Sequence, residues 1–210
     1  MNYKNNLPVE WFYYITSVDN LKSILEHGIL SYKRAGKLKH VSYAMEDVQS
    51  IRQNKNFMAG VSIHDCANLY LNPKNTTLFK LIMDGRLSKL VILAVSTDVM
   101  QGNKAVFFSS MNAACKEAKF YDKSLALMFL KWDIILGDTW NSDDQEEKRI
   151  KKRIMCAEVL VRDNVAPEYI KKIFVPGQRT LDRLKQMKVV LPIEINKDMF
   201  FHTDVISLEY

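Results

Sequence analysis

Residues 153–161 read Arg-Ile-Met-Cys-Ala-Glu-Val-Leu-Val, and this stretch decides the fold class. Residues 155–161 have the apolar and β-branched composition of a buried strand, with Glu158 in its middle. Because burying an unpaired carboxylate is costly, Glu158 requires either a partner or a chemical role. A salt bridge to one of the nearby lysines is one interpretation, and a catalytic carboxylate is the other.

Strands and helices are predicted on both sides of this stretch. Residues 11–16 are aromatic and β-branched and predict a strand, and residues 18–28 predict a helix that ends at Gly28. Residues 89–95 form an almost continuous apolar run, which predicts a central buried strand. Further strands are predicted at residues 68–71, 106–108, 173–175, 189–195 and 205–208, and further helices at 44–53, 77–84 and 180–187.

A cluster of helices is predicted in the middle of the chain. Two or three of them lie between residues 112 and 153, and Ser142 with Gln145 predicts a capping box for the last one. Strands that come first and last, with helices clustered between them, favour an α+β architecture.

Composition indicates one globular domain. The chain has 210 residues, of which 48% are hydrophobic and 26% are charged. It contains no internal repeat, no low-complexity segment and no long linker, so a single domain over residues 1–210 is the economical interpretation. The formal net charge of +6 is compatible with a polyanionic partner but does not establish one.

The cysteines disfavour a zinc site and a disulfide framework. Cys66, Cys115 and Cys156 are odd in number and widely spaced, which fits a reducing compartment. His64 and Asp65 precede Cys66, but adjacent residues of a strand point to opposite faces, so no metal is expected. The first ten residues do not form a signal peptide, and the longest apolar run, 90–95, is too short to span a bilayer. A cytoplasmic protein without a membrane partner is expected.

The N-terminal strand and helix carry the first specific motif. Tyr-Ile-Thr at residues 14–16 precedes Asn-Leu at 20–21, and Gly-Ile-Leu-Ser follows at 28–31. The pattern resembles the opening of the DarT family of DNA ADP-ribosyltransferases, which has His where Tyr14 stands. An ordinary core strand is the alternative interpretation. The resemblance implies that NAD is contacted by Tyr14, Ile15, Thr16, Asn20, Ser23 and Ser31.

A second motif places an arginine at a helix end. Asp-Val-Gln-Ser-Ile-Arg at residues 47–52 resembles a short helix of the family that ends in a functional arginine. The resemblance implies that Arg52 lies beside the NAD pyrophosphate and the acceptor base. A guanidinium suits that place because it binds phosphate with two donors and remains charged, so an orienting and charge-stabilising role is expected. A surface arginine near a helix end is the alternative.

Further motifs follow in the family's order. His64-Asp65 precedes Leu-Tyr-Leu-Asn-Pro at residues 69–73, and Phe-Ser-Ser-Met-Asn-Ala occupies 108–113. This sequence has Ala-Asn at 67–68, where the family has Val-Pro. The resemblance implies that Glu158 is the catalytic carboxylate. It would bind the 2′-hydroxyl of the nicotinamide ribose and stabilise the oxocarbenium-like state as nicotinamide leaves.

Aromatic and basic residues crowd the stretch that leads to Glu158. Single-stranded nucleic acid requires cations for its phosphates and aromatic faces for its bases. A solvated helix with i,i+4 ion pairs is the alternative for the basic run. The expected DNA-binding residues are Tyr121, Trp132, Trp140, Lys148, Lys151, Lys152 and Arg153.

The resemblance covers approximately residues 11–187. It implies an ADP-ribosyltransferase fold, in which a split, mainly antiparallel sheet forms a cleft for NAD. The implied reaction transfers ADP-ribose from NAD to thymine or guanine in single-stranded DNA and releases nicotinamide. It also implies a toxin that is neutralised by a macrodomain antitoxin of the DarG type. The alternatives are a catalytically inactive domain that binds single-stranded nucleic acid, and a transferase that acts on RNA or protein.

Overall fold

The computed structural model describes residues 7–43, 46–53, 55–58, 60–102 and 104–201. Short strands and α-helices follow one another along this part of the chain in runs of one to three elements of the same kind. The strands are β1 (Trp11–Ser17), β2 (Ile29–Leu30), β3 (Asn56–Met58), β4 (Val61–Ser62), β5 (Cys66–Tyr70), β6 (Leu90–Ser96), β7 (Val106–Ser109), β8 (Phe120–Tyr121), β9 (Glu158–Arg162), β10 (Asn164–Val165), β11 (Ile170–Val175) and β12 (Ile193–Ile195). The α-helices are α1 (Leu21–His27), α2 (Tyr32–Ala35), α3 (Glu46–Gln53), α4 (Thr76–Met83), α5 (Lys123–Phe129), α6 (Trp132–Ile135), α7 (Gln145–Ile154) and α8 (Gln178–Gln186).

One central sheet organises the described residues. Eight strands join in the order β12-β11-β6-β1-β5-β9-β7-β8, and every pair is antiparallel except β11 with β12. Two small sheets, β2 with β10 and β3 with β4, lie outside it. The predicted α+β fold with a mainly antiparallel sheet is therefore confirmed.

Strand β6 lies between two hydrophobic cores. Val91, Leu93 and Val95 point into the larger core, to which α1, α5, α7 and α8 contribute side chains. Leu90, Ile92 and Ala94 point into the second core, against α4 and the segment around Trp140. Because both faces are covered, this strand reads as an unbroken apolar run, and the predicted central strand at 89–95 is confirmed.

The sheet is split between β1 and β5. Strand β1 pairs with β6 through seven consecutive residues, but it pairs with β5 only at Tyr13 and Tyr70. Among the described residues, the C-terminal half of β1, from Tyr14 onwards, therefore has no ladder partner on its β5 side. Backbone donors and acceptors at this edge remain available to a ligand.

Gly28 is required where α1 turns into β2. Its φ of +81° is a conformation that residues with side chains rarely adopt, and a Cβ would lie 2.1 Å from the Val165 carbonyl oxygen. Strand β10, which contains Val165, pairs with β2 at this place. The predicted helix end at Gly28 is confirmed, and the close approach explains why glycine occupies it.

Two sequence predictions near Glu158 are wrong. The strand begins at Glu158 rather than at residue 155, because the backbone N–H groups of Met155, Cys156 and Ala157 still bond to carbonyls of the α7 end. The capping box at Ser142 and Gln145 does not form, since Asp144 is the N-cap and its carboxylate accepts from two backbone N–H groups. A side chain directly before the helix reaches those donors more easily than one two residues further away.

The C-terminal predictions are met in part. Only Ile193–Ile195 of the predicted strand 189–195 joins the sheet, where it runs parallel to β11. The strand predicted at 205–208 lies outside the described residues. In the part of the chain that the structure describes, no helix is long and apolar enough to cross a membrane.

Candidate active site

Glu158 is buried at the start of β9 and is held by three donors. Its side chain is 1% exposed. Oε1 accepts from Arg52 Nη2 at 2.6 Å and from the Ala113 backbone N–H at 2.8 Å. Oε2 accepts from Asn68 Nδ2 at 2.7 Å. The carboxylate thus has the partners that a buried charge requires, and its position is fixed.

The loop after β7 delivers the backbone donor. Ser109 Oγ accepts from the Glu158 backbone N–H at 2.9 Å and donates to the Met111 carbonyl at 2.6 Å. The Asn112 N–H donates to the Arg153 carbonyl at 2.9 Å. These bonds hold the loop against the end of α7, so that the Ala113 N–H points at the carboxylate.

Arg52 reaches Glu158 from the end of α3. Burial lowers the pKa of its guanidinium, but the charge and the hydrogen bond of Glu158 outweigh this effect, and the pKa lies above its ordinary value. Nη2 also contacts Asn112 Oδ1 at 3.4 Å. Arg52 is therefore a fixed cation, as expected for a charge-stabilising role, and is poorly suited to accept a proton.

The Nε of Arg52 lacks a partner. This atom is buried and has no hydrogen-bond acceptor among the described residues. A buried donor without an acceptor costs free energy, so such an atom in a cleft indicates a place that a ligand acceptor completes. The sequence pattern pointed to Arg52, but only the structure shows which of its donors is occupied.

Helix α3 is anchored by His64. His64 Nε2 contacts Gln49 Oε1 at 3.0 Å, and the Tyr32 ring stacks on the imidazole with 4.2 Å between centroids. Burial, followed by the charges of Arg52 and Lys33, lowers the pKa of His64. The contact with Gln49 ties His64 to the helix that bears Arg52.

Asp65 closes the turn after β4. Its carboxylate accepts from the Ser62 N–H and hydroxyl, each at 2.9 Å, and from Lys33 Nζ at 2.6 Å. The Lys33 hydrogen bond contributes most to lowering the pKa of Asp65 to about 2. The described residues contain no group of three or more His, Cys, Asp and Glu side chains that could hold a metal ion.

Of the residues predicted to contact NAD, Tyr14, Ile15 and Thr16 lie on the open edge of β1, and Asn20 is bonded to Thr16. Asn20 Nδ2 donates to Thr16 Oγ1 at 3.1 Å, and Asn20 also bonds to both backbone groups of Val41. Tyr14 packs against the larger core and burial raises the pKa of its phenol, so it remains a hydrogen-bond donor. Ile15 packs against the second core on the opposite face, so only its backbone faces the edge.

The two predicted serines occupy different surroundings. Ser23 is half-buried on α1. Ser31 is 1% exposed and precedes α2, and its backbone N–H donates to the Asp163 carbonyl at 2.8 Å. No contact in the structure joins either of them to Glu158 or Arg52 among the described residues.

A pocket of about 290 Å³ adjoins this site. Its lining consists of Thr76, Phe79, Asn112, Cys115, Trp140, Lys152, Arg153 and Cys156. Three of the predicted DNA-binding residues, Trp140, Lys152 and Arg153, are therefore brought together. Asn112 belongs both to this lining and to the contacts of Arg52, so the pocket and the charged pair share one residue.

The pocket is aromatic and cationic. Trp140 packs edge-to-face on Phe79 at 5.5 Å, and Lys152 Nζ lies 5.6 Å from the Trp140 ring centroid. Arg153 Nη1 lies 3.6 Å from Glu117 Oε2. Trp140 is 3% exposed and belongs to the second core, so the positive charge of the pocket adjoins an aromatic side chain that is almost fully buried.

The other predicted DNA-binding residues lie outside this lining. Tyr121 stacks on Phe129 at 5.8 Å, and Trp132 Nε1 donates to the Leu127 carbonyl at 3.2 Å. Lys148 and Lys151 lie on α7, where Lys151 pairs with Glu147 at 3.0 Å. For these four residues, contact with DNA stays a prediction.

Comparison with known proteins gives similarity along most of the chain. A family model described as "ssDNA thymidine ADP-ribosyltransferase, DarT" matches residues 13–201. A DNA ADP-ribosyl transferase-DNA ADP-ribosyl glycohydrolase fusion protein of Thermosipho africanus (strain H17ap60334) is 32% identical over 179 residues. That alignment covers 83% of this chain and 44% of the fusion protein, so the chain spans less than half of that relative.

Solved structures share the fold. Thermosipho africanus DarTG in complex with ADP-ribose has a TM-score of 0.77 and 28% identity, over 91% of this chain and 51% of that chain. Thermus sp. 2.9 DarT in complex with ADP-ribosylated ssDNA has a TM-score of 0.77 and 24% identity, over 90% of this chain and 95% of that one. The same Thermus protein in complex with NAD+ has a TM-score of 0.74 and 23% identity, over 93% and 99%.

Proposed function

The chain belongs to the DarT family of single-stranded DNA thymidine ADP-ribosyltransferases, and on this basis we propose that it transfers ADP-ribose from NAD to a thymine of single-stranded DNA. The observation that carries the proposal is the buried pair of Arg52 and Glu158 beside an aromatic, cationic pocket. The substrate NAD and the acceptor base would meet at this pair.

The residues present fit NAD. The Arg52 Nε is a buried donor without an acceptor, and an anionic or carbonyl oxygen of the dinucleotide completes it. The open edge of β1 at Tyr14, Ile15 and Thr16 offers backbone groups to the nicotinamide end, and Asn20 holds that edge in place. Ser23 and Ser31 are also proposed to contact NAD, because the resemblance to the DarT family implies it.

The chemistry requires an anion beside the breaking bond. As the bond between the ribose carbon and the nicotinamide nitrogen breaks, positive charge develops on the ribose, and the fixed carboxylate of Glu158 stabilises it. The same carbon then bonds to a nitrogen of the base, nicotinamide leaves as the neutral molecule, and the proton of the base nitrogen passes to solvent. Arg52 holds Glu158 in place and supplies positive charge for phosphate oxygens.

The pocket beside Asn112 is proposed as the place of the acceptor nucleotide. Trp140 and Phe79 give it an aromatic wall, while Lys152 and Arg153 supply charge for the adjoining phosphates. Tyr121, Trp132, Lys148 and Lys151 are proposed to follow the strand further from the reaction. A base must leave its stack to enter such a pocket, which favours single-stranded DNA.

The proposed biological role is that of a toxin in a toxin–antitoxin pair. In the Thermosipho fusion protein a DNA ADP-ribosyl transferase is joined to a DNA ADP-ribosyl glycohydrolase. We propose that a macrodomain partner with glycohydrolase activity, of the DarG type, removes the modification made by this chain. The proposed location of this activity is the cytoplasm.

The test is incubation of the protein with NAD and short oligonucleotides, followed by mass spectrometry and by measurement of released nicotinamide. The expected result is a mass increase of one ADP-ribose on thymine-containing single strands, with stoichiometric nicotinamide. Binding of single strands without any nicotinamide release would instead indicate an inactive nucleic-acid-binding domain. Modification of RNA or protein alone would reject the DNA substrate.

A further inference from the structure

The two oxygens of the Glu158 carboxylate are held unequally. Oε1 has two donors, Arg52 Nη2 at 2.6 Å and the Ala113 N–H at 2.8 Å. Oε2 has one among the described residues, Asn68 Nδ2 at 2.7 Å. An ionised carboxylate offers about four acceptor positions, so the one that remains for a substrate lies on Oε2.

The sheet register explains why Asn68 reaches this oxygen. Strands β5 and β9 are antiparallel, with Tyr70 opposite Glu158 and Asn68 opposite Leu160. Residues two apart in a strand share a face, so Asn68 is the diagonal neighbour of Glu158. Asn68 is half-buried and Glu158 is buried.

Two donors on Oε1 restrict rotation about the last carbon–carbon bond of Glu158 only in part, because that torsion is soft and hydrogen bonds tolerate a range of angles. A donor on Oε2 narrows this rotation further. The amide of Asn68 must present its NH₂ group here, since a carboxylate has only acceptors to offer. Asn68 therefore sets the direction of the remaining acceptor position of Oε2.

We propose that Asn68 is a positioning residue, which orients Glu158 so that the free acceptor position of Oε2 faces the ribose hydroxyl of NAD. The inference rests on the proposed function. Asn68 acts through Glu158 and has no need to touch NAD, so its loss lowers turnover more than it lowers NAD affinity. This distinguishes it from Arg52, whose unpartnered Nε is itself assigned to the ligand.

Two variants test the role. Asn68→Ala removes the donor and should lower kcat about tenfold or more, because hydrogen bonds to charged groups are the stronger ones, while KM for NAD changes by less than about twofold. Asn68→Asp keeps the shape but places a second carboxylate against Oε2. Two carboxylates so close share a proton, so Asn68→Asp should be inactive at about pH 8 and should regain at least about fivefold activity towards pH 5.5.

Other titratable groups face Glu158 and serve as the reference. They are Arg52, Lys55, Tyr70, Cys115 and Cys156, and burial raises the pKa of the Tyr70 phenol and of both thiols. All of them are present in the wild-type protein and in Asn196→Asp, a control that adds the same charge near the far edge of the sheet after β12. Each pH profile is therefore expressed relative to these two proteins.

Wild-type turnover is measured first, because its absence would reject the proposed function itself. If the wild-type protein is active, full kcat in Asn68→Ala would overturn the positioning role, and so would a raised KM for NAD with unchanged kcat. An Asn68→Asp profile parallel to that of Asn196→Asp would overturn it as well. Unfolding temperatures within a few degrees of wild type establish that the variants are folded, and NAD binding measured by calorimetry gives the ground-state affinity.

Discussion

Arg52 Nη2 lies 2.6 Å from Glu158 Oε1, although 106 positions separate the two residues in the chain. The contact joins α3 to the first residue of β9, and both side chains are almost fully buried. Removal of one member of such a pair leaves an uncompensated buried charge, which costs more than the pair contributes when intact. A substitution that removes the charge at either position and one that keeps the charge are therefore expected to differ in their effects on NAD binding and on transfer.

Glu158→Gln should abolish transfer while the protein remains folded. The amide keeps the size of the side chain but lacks the negative charge that stabilises the developing cation, so we expect kcat to fall at least about 100-fold. NAD affinity should change much less, because the charge is needed in the transition state rather than in the bound ground state. Nicotinamide release and calorimetric NAD binding measure the two quantities.

The matched control for this variant is Glu194→Gln. Glu194 is exposed at the sheet edge and pairs with Lys172 at 2.9 Å, far from Glu158 in strand order. The activity of the Glu194→Gln variant should equal that of the wild-type protein. Near-wild-type turnover in Glu158→Gln would contradict the assignment of Glu158 as the catalytic carboxylate.

Arg52→Ala should weaken NAD binding and abolish transfer, and Arg52→Lys should restore little. A lysine supplies one point charge, whereas Arg52 uses Nη2 for Glu158 and retains Nε for the ligand. We expect Arg52→Lys to remain at least about tenfold below wild type. Arg183→Lys, at an exposed arginine that pairs with Asp19, is the control. Full activity in Arg52→Lys would show that charge alone matters.

Lys152→Ala should weaken binding of single-stranded DNA for all sequences alike. If Lys152 contacts a phosphate beside the Trp140 pocket, its loss should reduce the salt dependence of binding by about one counterion. Lys185→Ala on α8 carries the same charge change at a site away from the pocket. Fluorescence anisotropy over a range of salt concentrations gives both slopes, and identical slopes for the two variants would remove Lys152 from the interface.

Asp65 should make the fold acid-sensitive in a defined window. Its pKa is lowered from the ordinary value of 3.8 to about 2, so its stabilisation is present above the ordinary value and is lost as pH falls towards about 2. Asp65→Asn should lower the free energy of unfolding at neutral pH and flatten its decline in that window. Asp138→Asn, at an exposed carboxylate, is the control. Denaturant titrations across this range that run parallel in all three proteins would contradict the prediction.

Much of the fold followed from local patterns in the sequence. The apolar run of β6, the end of α1 at Gly28 and the three α-helices described between residues 112 and 154 were predictable, because periodicity and glycine placement are local signals. The start of β9 was not predictable, since Met155 to Ala157 are as apolar as the strand but continue the hydrogen bonds of α7. Composition alone does not separate a buried helix end from a buried strand.

The candidate site was predictable in its charges but not in its neutral partners. Glu158 stood out as a carboxylate in an apolar stretch, and Arg52 was indicated by the resemblance of its helix to the family motif. Asn68 and the Ala113 N–H lie 90 and 45 positions from Glu158, and only the register of β5 with β9 and the Ser109 contact bring them to it. Ile15 shows the converse case, since its position in a motif does not reveal that its side chain faces the opposite core.

The central claim is that this protein modifies a thymine in single-stranded DNA, and matched oligonucleotides test it most directly. Three oligonucleotides are each incubated with NAD, and their masses are measured by mass spectrometry. They are a single strand with one thymine, the same strand with guanine in place of that thymine, and the thymine strand annealed to its complement. We predict that only the unpaired thymine strand gains the mass of one ADP-ribose, because pairing covers the base edge and stacking holds it outside the pocket. Equal modification of the single strand and the duplex, or of guanine but not thymine, would contradict the account.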